Sequence, residues 1–235
     1  MALFWRLFLA HLIADFPLQT DAVFAAKKEK GWGVLLHGSL FGLMAILLMK
    51  PFLRSGAVWC GVVILWLFHM IVDKAKLILV RRGREDHLAY FLLDQVLHIG
   101  LVGLVSLFLS RVPHVARISA ASAAELGLIK LAAAYVASIW ASPLVCFYIQ
   151  ALFSSQKMAF QAYQPFLWRM MGYVERGMLT AIVTWGGRLF FLIPLVFLPR
   201  MGLSIFQGQR NYSLWEFALG SAMAIAAGLW ARTLF

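Results

Sequence analysis

The sequence predicts an all-α protein, a polytopic membrane bundle of about seven transmembrane helices with a short first helix. Of its 235 residues, 63% are hydrophobic and 13% are charged, and the mean hydropathy is +0.83. Water-soluble domains carry roughly 25% charged residues, so this composition excludes a soluble globular fold. A transmembrane helix needs about 20 mostly apolar residues, and apolar runs of about that length recur along the chain.

The apolar runs give the predicted helices in chain order, separated by short polar loops. Asp15, Gln19 and Asp21 stand where a signal peptide would need small residues for cleavage, so we expect the first run to stay in the mature protein. The predicted spans are residues 2–16, 32–49, 56–77, 88–109, 130–153, 177–199 and 214–234.

We expect one membrane domain with two halves. Residues 1–110 form a four-helix half rich in His and Asp, and residues 111–235 form three further helices plus an interfacial amphipathic segment at 154–176. Arg188 lies deep in the sixth span, so it should pair with a carboxylate or reach a polar cavity. Glu175 should either approach the polar site of the first half or pair with Arg176.

The net charge of +11 comes from 21 Lys and Arg against 10 Asp and Glu. The basic residues lie in short loops between apolar runs, which is typical of a membrane protein with positive cytoplasmic loops and not of a nucleic-acid-binding protein. Their bias towards the first and third loops places those loops in the cytoplasm. The residues in those loops are Lys27, Lys28, Lys30, Arg81, Arg82 and Arg84.

Ionisable side chains concentrate in the first four spans, although each costs roughly 2.5–3.5 kcal/mol to insert into a membrane. Six of them form pairs four residues apart, a spacing that places both side chains on one helix face where they can bind one metal ion. All seven lie beside the first or third loop, so they should converge at one membrane depth. The set is His11, Asp15, His37, His69, Asp73, Asp94 and His98.

Imidazole and carboxylate ligands favour a divalent ion, with zinc preferred and manganese or iron as alternatives. Cys60 and Cys146 lie in apolar runs, so a thiolate cluster is not expected. Seven ligands allow one ion with additional supporting residues, or two ions that share a carboxylate. A metal-activated water points to hydrolysis, with a spare carboxylate among Asp15, Asp73 and Asp94 as general base.

Four sequence blocks, in order, resemble the bacterial membrane proteins grouped as domain-of-unknown-function family 3307. This resemblance covers about the first hundred residues and implies a multi-span fold in the bacterial inner membrane, with no established reaction. It also implies that Gln19, Asp21, Lys76 and Gln95 surround the site. The blocks are His11-Leu-Ile-Ala-Asp15-Phe-Pro-Leu-Gln19-Thr-Asp21, His37, His69-Met-Ile-Val-Asp73-Lys74-Ala-Lys76 and Asp94-Gln95-Val-Leu-His98.

The sequence therefore favours an intramembrane metal-dependent hydrolase that acts on a lipid-borne substrate at the cytoplasmic interface. Lys74 and Lys76 would contact a phosphorylated substrate, and Gln19 and Gln95 would help to bind it. The chief alternative is a transporter of divalent metal ions or protons that uses the same residues. A lipid oxidase with non-haem iron and a purely structural scaffold rank below it. Membrane lipid is the expected partner, and nucleic acid is not.

Overall fold

The structure is a computed structural model that describes residues 1–81, 87–121, 123–153, 166–207 and 214–234. It confirms the predicted all-α class. Short 3₁₀ segments lie at Lys50–Phe52 and Gly187–Leu192, and a π-helical turn lies at Ala137–Ala141. The α-helices are α1 Ala2–Asp15, α2 Asp21–Glu29, α3 Gly33–Leu48, α4 Gly56–Arg81, α5 Leu88–Ser110, α6 Pro113–Ala121, α7 Ala123–Val136, α8 Ser142–Ala151, α9 Phe166–Trp185, α10 Ile193–Gln207 and α11 Leu214–Arg232.

In the described part of the chain, three helical segments are long and apolar enough to cross a membrane: Gly56–Val80, Leu88–Ser110 and Glu125–Ala151. Large apolar side chains such as Ile71 and Leu107 are exposed on these helices, as expected of a surface that faces lipid. These features indicate a membrane protein. Gly33–Leu48 and Phe217–Arg232 are shorter apolar helices, and the count of seven spans stays a prediction.

The chain divides into two compact units, Met1–Ala133 and Ala134–Phe235. In the first, α1 packs against α3 and α5, and α4 packs against both of them. Ten of the 14 residues of α1 are buried, because this helix is apolar on nearly every side and a helix of that kind lies inside a bundle. Its burial carries the two polar residues near its C-terminal end into the protein interior.

The opposite end of α1 is held by a buried arginine. Arg6 donates from Nη1 to the backbone carbonyl oxygen of Leu48 at 2.9 Å. Its second terminal nitrogen pairs with the Glu125 carboxylate, and its guanidinium lies over the Phe52 ring. A charge this deep in an apolar core is tolerated only with such partners.

Helix α2 is a short amphipathic helix with no buried residue. It begins after Thr20, whose hydroxyl accepts a hydrogen bond from the Val23 backbone N–H, an N-cap that satisfies one of the free donors of the first turn. Helix α3 follows closely, since a Cβ placed on Gly33 would lie 1.9 Å from the Ala26 carbonyl oxygen. Only glycine allows α2 to fold back against the start of α3.

Replacing Gly33 with alanine should therefore force α2 away from α3 and destabilise the protein by about 1–3 kcal/mol. Gly31→Ala is the matched control, because a Cβ at Gly31 meets nothing within 4 Å. Thermal unfolding in detergent measures both variants. Equal melting temperatures would contradict the close approach of the two helices.

In the second unit, α9 packs against α10 and α11. The predicted continuous span at 177–199 is wrong in detail. Helix α9 ends at Trp185, and Gly186 and Gly187 both have a φ of 62°, a left-handed conformation that interrupts a helix. The chain continues through the 3₁₀ segment into α10. Of the predicted interfacial segment, residues 154–165 lie outside the described part and residues 166–176 belong to α9.

The structure also corrects the expectation for Arg188, which is exposed in the 3₁₀ segment and pairs with no carboxylate among the described residues. A buried ion pair in the described part of this unit joins Arg200 to Glu175, whose Nε and Oε1 atoms lie 2.7 Å apart. Position in an apolar run suggested that Arg188 was deep. The glycine pair places it on the surface, and Arg200, on the helix that follows, packs against α9.

Candidate metal centre

The seven predicted ligands come together in the first unit, and all are buried. They come from the end of α1, the start of α3, the second half of α4 and the first half of α5. Four of the six histidines of the chain take part. The three pairs spaced four residues apart keep the shared helix faces that the sequence predicts. Their role as metal ligands stays a prediction, whereas their proximity is a property of the structure.

The centre of the cluster consists of Asp15, His37, His69 and Asp73. The Nε2 atoms of His37 and His69 lie 3.1 Å apart. Asp15 Oδ1 lies 3.4 Å and 3.3 Å from those two atoms, and Asp73 Oδ2 lies 3.4 Å and 3.7 Å from them. Ligands around a tetrahedral ion with bonds of about 2.1 Å are about 3.4 Å apart. The five distances that involve His37 or His69 are therefore close to the spacing of ligands around one ion.

His11, Asp94 and His98 surround this centre. The rings of His11 and His98 stack with centroids 5.1 Å apart, and the His98 ring meets the His69 ring edge-on at 4.3 Å. Single ligand atoms of Asp73, Asp94 and His98 all lie within 4.8 Å of one another, as do those of His11, Asp15 and His69. The cluster thus offers further ligand groups beside the central four residues.

Gln95 connects two outer residues, His11 and Asp94, to Asp15 of the centre through its amide. Its Oε1 lies 3.2 Å from His11 Nε2, and its Nε2 donates to Asp15 Oδ2 at 3.4 Å and to Asp94 Oδ2 at 3.3 Å. Each of these contacts holds one polar atom of His11, Asp15 or Asp94 in place. Outer-shell hydrogen bonds of this kind orient metal ligands and select the atom that binds the ion.

The remaining polar atoms of these side chains are buried without a hydrogen-bond partner in the described part of the chain. His98 shows the pattern: its Nδ1 lies 2.8 Å from the Asp94 backbone oxygen, which leaves Nε2 as a lone-pair donor. Buried polar atoms are normally satisfied, so this many in one place makes the cluster a candidate site for an ion or for water. The atoms are His11 Nδ1, Asp15 Oδ1, His37 Nδ1, Asp73 Oδ2, Asp94 Oδ1 and His98 Nε2.

Two lysines contact the cluster from its more accessible side. Lys27 Nζ donates to Asp73 Oδ1 at 2.6 Å and to Gln19 Oε1 at 3.2 Å. Lys76 Nζ lies 3.7 Å from Asp94 Oδ2. Lys74, one of the predicted substrate contacts, is exposed instead. Sequence reasoning treated Lys27 only as a loop charge. The sequence signal that could have revealed its role is Thr20, a typical N-cap residue. It marks the start of α2, the helix that brings Lys27 to the cluster.

A family model described as "Protein of unknown function (DUF3307)" matches residues 3–124. The chain belongs to this family. The resemblance found in the four sequence blocks is thereby confirmed, and the DUF3307 match includes all seven buried ligand candidates together with Gln19, Lys27, Lys76 and Gln95. No curated protein and no solved structure matches the chain.

Gln95→Leu should weaken binding of zinc about 10–100-fold, because it removes the amide that orients three ligands while leaving every ligand in place. Gln150→Leu, on α8 outside the cluster, is the control. Competitive titration against a chromophoric zinc chelator measures the dissociation constants. An unchanged zinc affinity in Gln95→Leu would show that the amide does not organise the site.

Proposed function

We propose that the protein is a membrane-embedded metal-dependent hydrolase that acts on a lipid-borne substrate. The observation that carries this proposal is the close approach of four buried side chains, in which the Nε2 atoms of His37 and His69 lie 3.1 Å apart and each is 3.3–3.7 Å from a carboxylate oxygen of Asp15 and of Asp73. Two imidazoles and two carboxylates suit zinc best, and manganese or iron would also accept them. A divalent ion held there supplies a water with a pKa near 7, acidic enough to serve as a nucleophile at neutral pH.

Three of the four central residues suffice as ligands, and the fourth is then free for proton transfer. His37, His69 and Asp73 form one ligand group within 4.8 Å. Asp15 Oδ1 lies 3.4 Å and 3.3 Å from the Nε2 atoms of His37 and His69, so it would be close enough to accept a proton from a water held by these ligands and an ion. We assign Asp15 the role of general base and the outer residues His11, Asp94 and His98 the role of a supporting shell or a second ion site.

Asp15 can both take up and return the proton that hydrolysis transfers. Asp15 takes a proton from the attacking water, whose oxygen bonds to the carbonyl carbon or phosphorus of the substrate. The ester bond breaks, and the departing oxygen recovers the proton from Asp15.

A lipid-borne substrate follows from the setting of the cluster. Four of the seven candidate residues lie on α4 and α5, two helices long and apolar enough to span a membrane. The remaining apolar helices would complete a multi-pass protein of the bacterial inner membrane, with the cluster beside cytoplasmic loops that hold Lys27 and its basic neighbours. A substrate that arrives from the bilayer reaches the site without leaving the membrane.

The test is hydrolysis by the detergent-purified protein after zinc loading, assayed against lipid esters, lipid amides and lipid phosphates. We expect turnover of one class that is lost in Asp15→Asn while zinc stays bound. Zinc-loaded protein that hydrolyses none of them, but moves zinc or protons across proteoliposome membranes, would overturn the hydrolase proposal in favour of transport.

A further inference from the structure

We propose that the substrate of this site is a phosphate monoester whose phosphate is held by Lys27 and Lys76, and that a bound metal ion is required for tight binding of that phosphate. This inference rests on the proposed metal-dependent function and names its substrate class. It comes from the charges of the cluster and from the positions of the two ammonium groups.

The first observation is where the two ammonium groups lie. Lys27 contacts Asp73, and Lys76 contacts Asp94. Ligand atoms of those two carboxylates lie within 4.8 Å of one another. Lys27 comes from α2 and Lys76 from α4, so two separate elements bring positive charge to one edge of the cluster.

The second observation is exposure. The side chains of Lys27 and Lys76 are 11% and 22% exposed, whereas those of their partners Asp73 and Asp94 are 1% and 8% exposed. The two lysine side chains are therefore more accessible than the carboxylates that they contact.

The third observation is the charge balance. The carboxylates Asp15, Asp73 and Asp94 outnumber the two ammonium groups by one, so the cluster without an ion is anionic when its imidazoles are neutral. One divalent ion changes the net charge of the cluster from negative to positive. A buried positive excess is costly unless an anion compensates it, and a phosphate monoester carries the required negative charge.

An ammonium group has three N–H donors. Lys27 and Lys76 can therefore donate charge-assisted hydrogen bonds to phosphate oxygens while they keep their contacts with Asp73 and Asp94, and the positive charge of a bound ion strengthens the attraction for the phosphate. Metal and phosphate should accordingly bind with positive cooperativity. A neutral ester or amide would leave the positive excess of the metal-loaded cluster uncompensated.

Inorganic phosphate is the probe, and calorimetry measures its binding to zinc-loaded, desalted protein and to chelator-treated protein. We expect binding only to the loaded form. Lys27→Met and Lys76→Met should each weaken it about tenfold or more, and Lys27→Arg should retain most of the affinity. The matched control is Lys74→Met, an exposed lysine two residues from Lys76, which should bind phosphate as the wild type does.

Equal phosphate affinity in wild type, Lys27→Met and Lys76→Met would overturn the inference, as would equal affinity with and without zinc. A second experiment compares a lipid phosphate monoester with a soluble one. It measures phosphate release from phosphatidic acid in phosphatidylcholine nanodiscs and from glycerol phosphate in solution. Turnover of the first alone assigns a lipid headgroup, and turnover of the second alone assigns a soluble ester.

The two proposals fail separately. If phosphate binding depends on zinc and Lys27 but neither ester is hydrolysed, the hydrolase function fails and the phosphate site stands. If neutral lipid esters are hydrolysed while Lys27→Met leaves phosphate binding unchanged, the phosphate inference fails and the hydrolase function stands.

Discussion

His69→Ala is expected to abolish tight metal binding. The Nε2 atom of His69 lies within 3.7 Å of ligand atoms from Asp15, His37 and Asp73, and His69 belongs to two of the three ligand groups. His69→Ala therefore removes a predicted metal ligand from the centre of the cluster, whereas Gln95→Leu removes only a side chain that orients ligands. The affinity for zinc should therefore fall by more than the roughly 10–100-fold that is typical of outer-shell changes.

The measurement is zinc affinity by competitive titration, with gel filtration in detergent to establish that the variant is folded. His114→Ala is the control, because His114 is exposed on α6 outside the cluster and should leave the affinity unchanged. If His69→Ala retained wild-type affinity in a folded protein, the central arrangement would not be a metal site.

Arg200→Leu is expected to cause the largest loss of stability in the second unit, about 3–5 kcal/mol, because it leaves the Glu175 carboxylate buried without this guanidinium. The side chains of Arg200 and Glu175 are only 7% and 10% exposed. Removing both charges together should recover part of the loss, since the double variant no longer has to bury the Glu175 carboxylate. Thermal unfolding in detergent measures the three proteins.

Arg188→Leu provides the comparison, because it removes an exposed arginine from the same unit and should change the melting temperature little. The account of this unit would be contradicted if Arg200→Leu and Arg188→Leu melted at the same temperature. It would also be contradicted if the double variant of Arg200 and Glu175 were less stable than either single variant.

Much of the first unit could be predicted from sequence because its strongest signals are local. Pairs spaced four residues apart fix which side chains share a helix face, and the alternation of apolar runs with loops fixes which helix ends meet. Those two rules were enough to bring His11, His69 and His98 to one place. The all-α class followed from composition alone.

Features that depend on contacts distant in sequence were missed. The fold-back of α2, which brings Lys27 to Asp73, depends on the absence of a Cβ at Gly33. The pair of Arg200 with Glu175 depends on a helix break at Gly186 and Gly187, and an apolar run does not reveal a break. In both places glycine sets the backbone path, and the charged side chains follow it.

X-ray absorption spectroscopy of the detergent-purified, zinc-loaded protein tests the central claim most directly, because it reports the bound ion and its ligand atoms together. We predict one or two zinc ions with nitrogen and oxygen neighbours at about 2.0–2.1 Å, including imidazole scattering. Absence of bound zinc, or a sulfur neighbour at about 2.3 Å from a cysteine, would contradict a metal centre made of these histidines and aspartates.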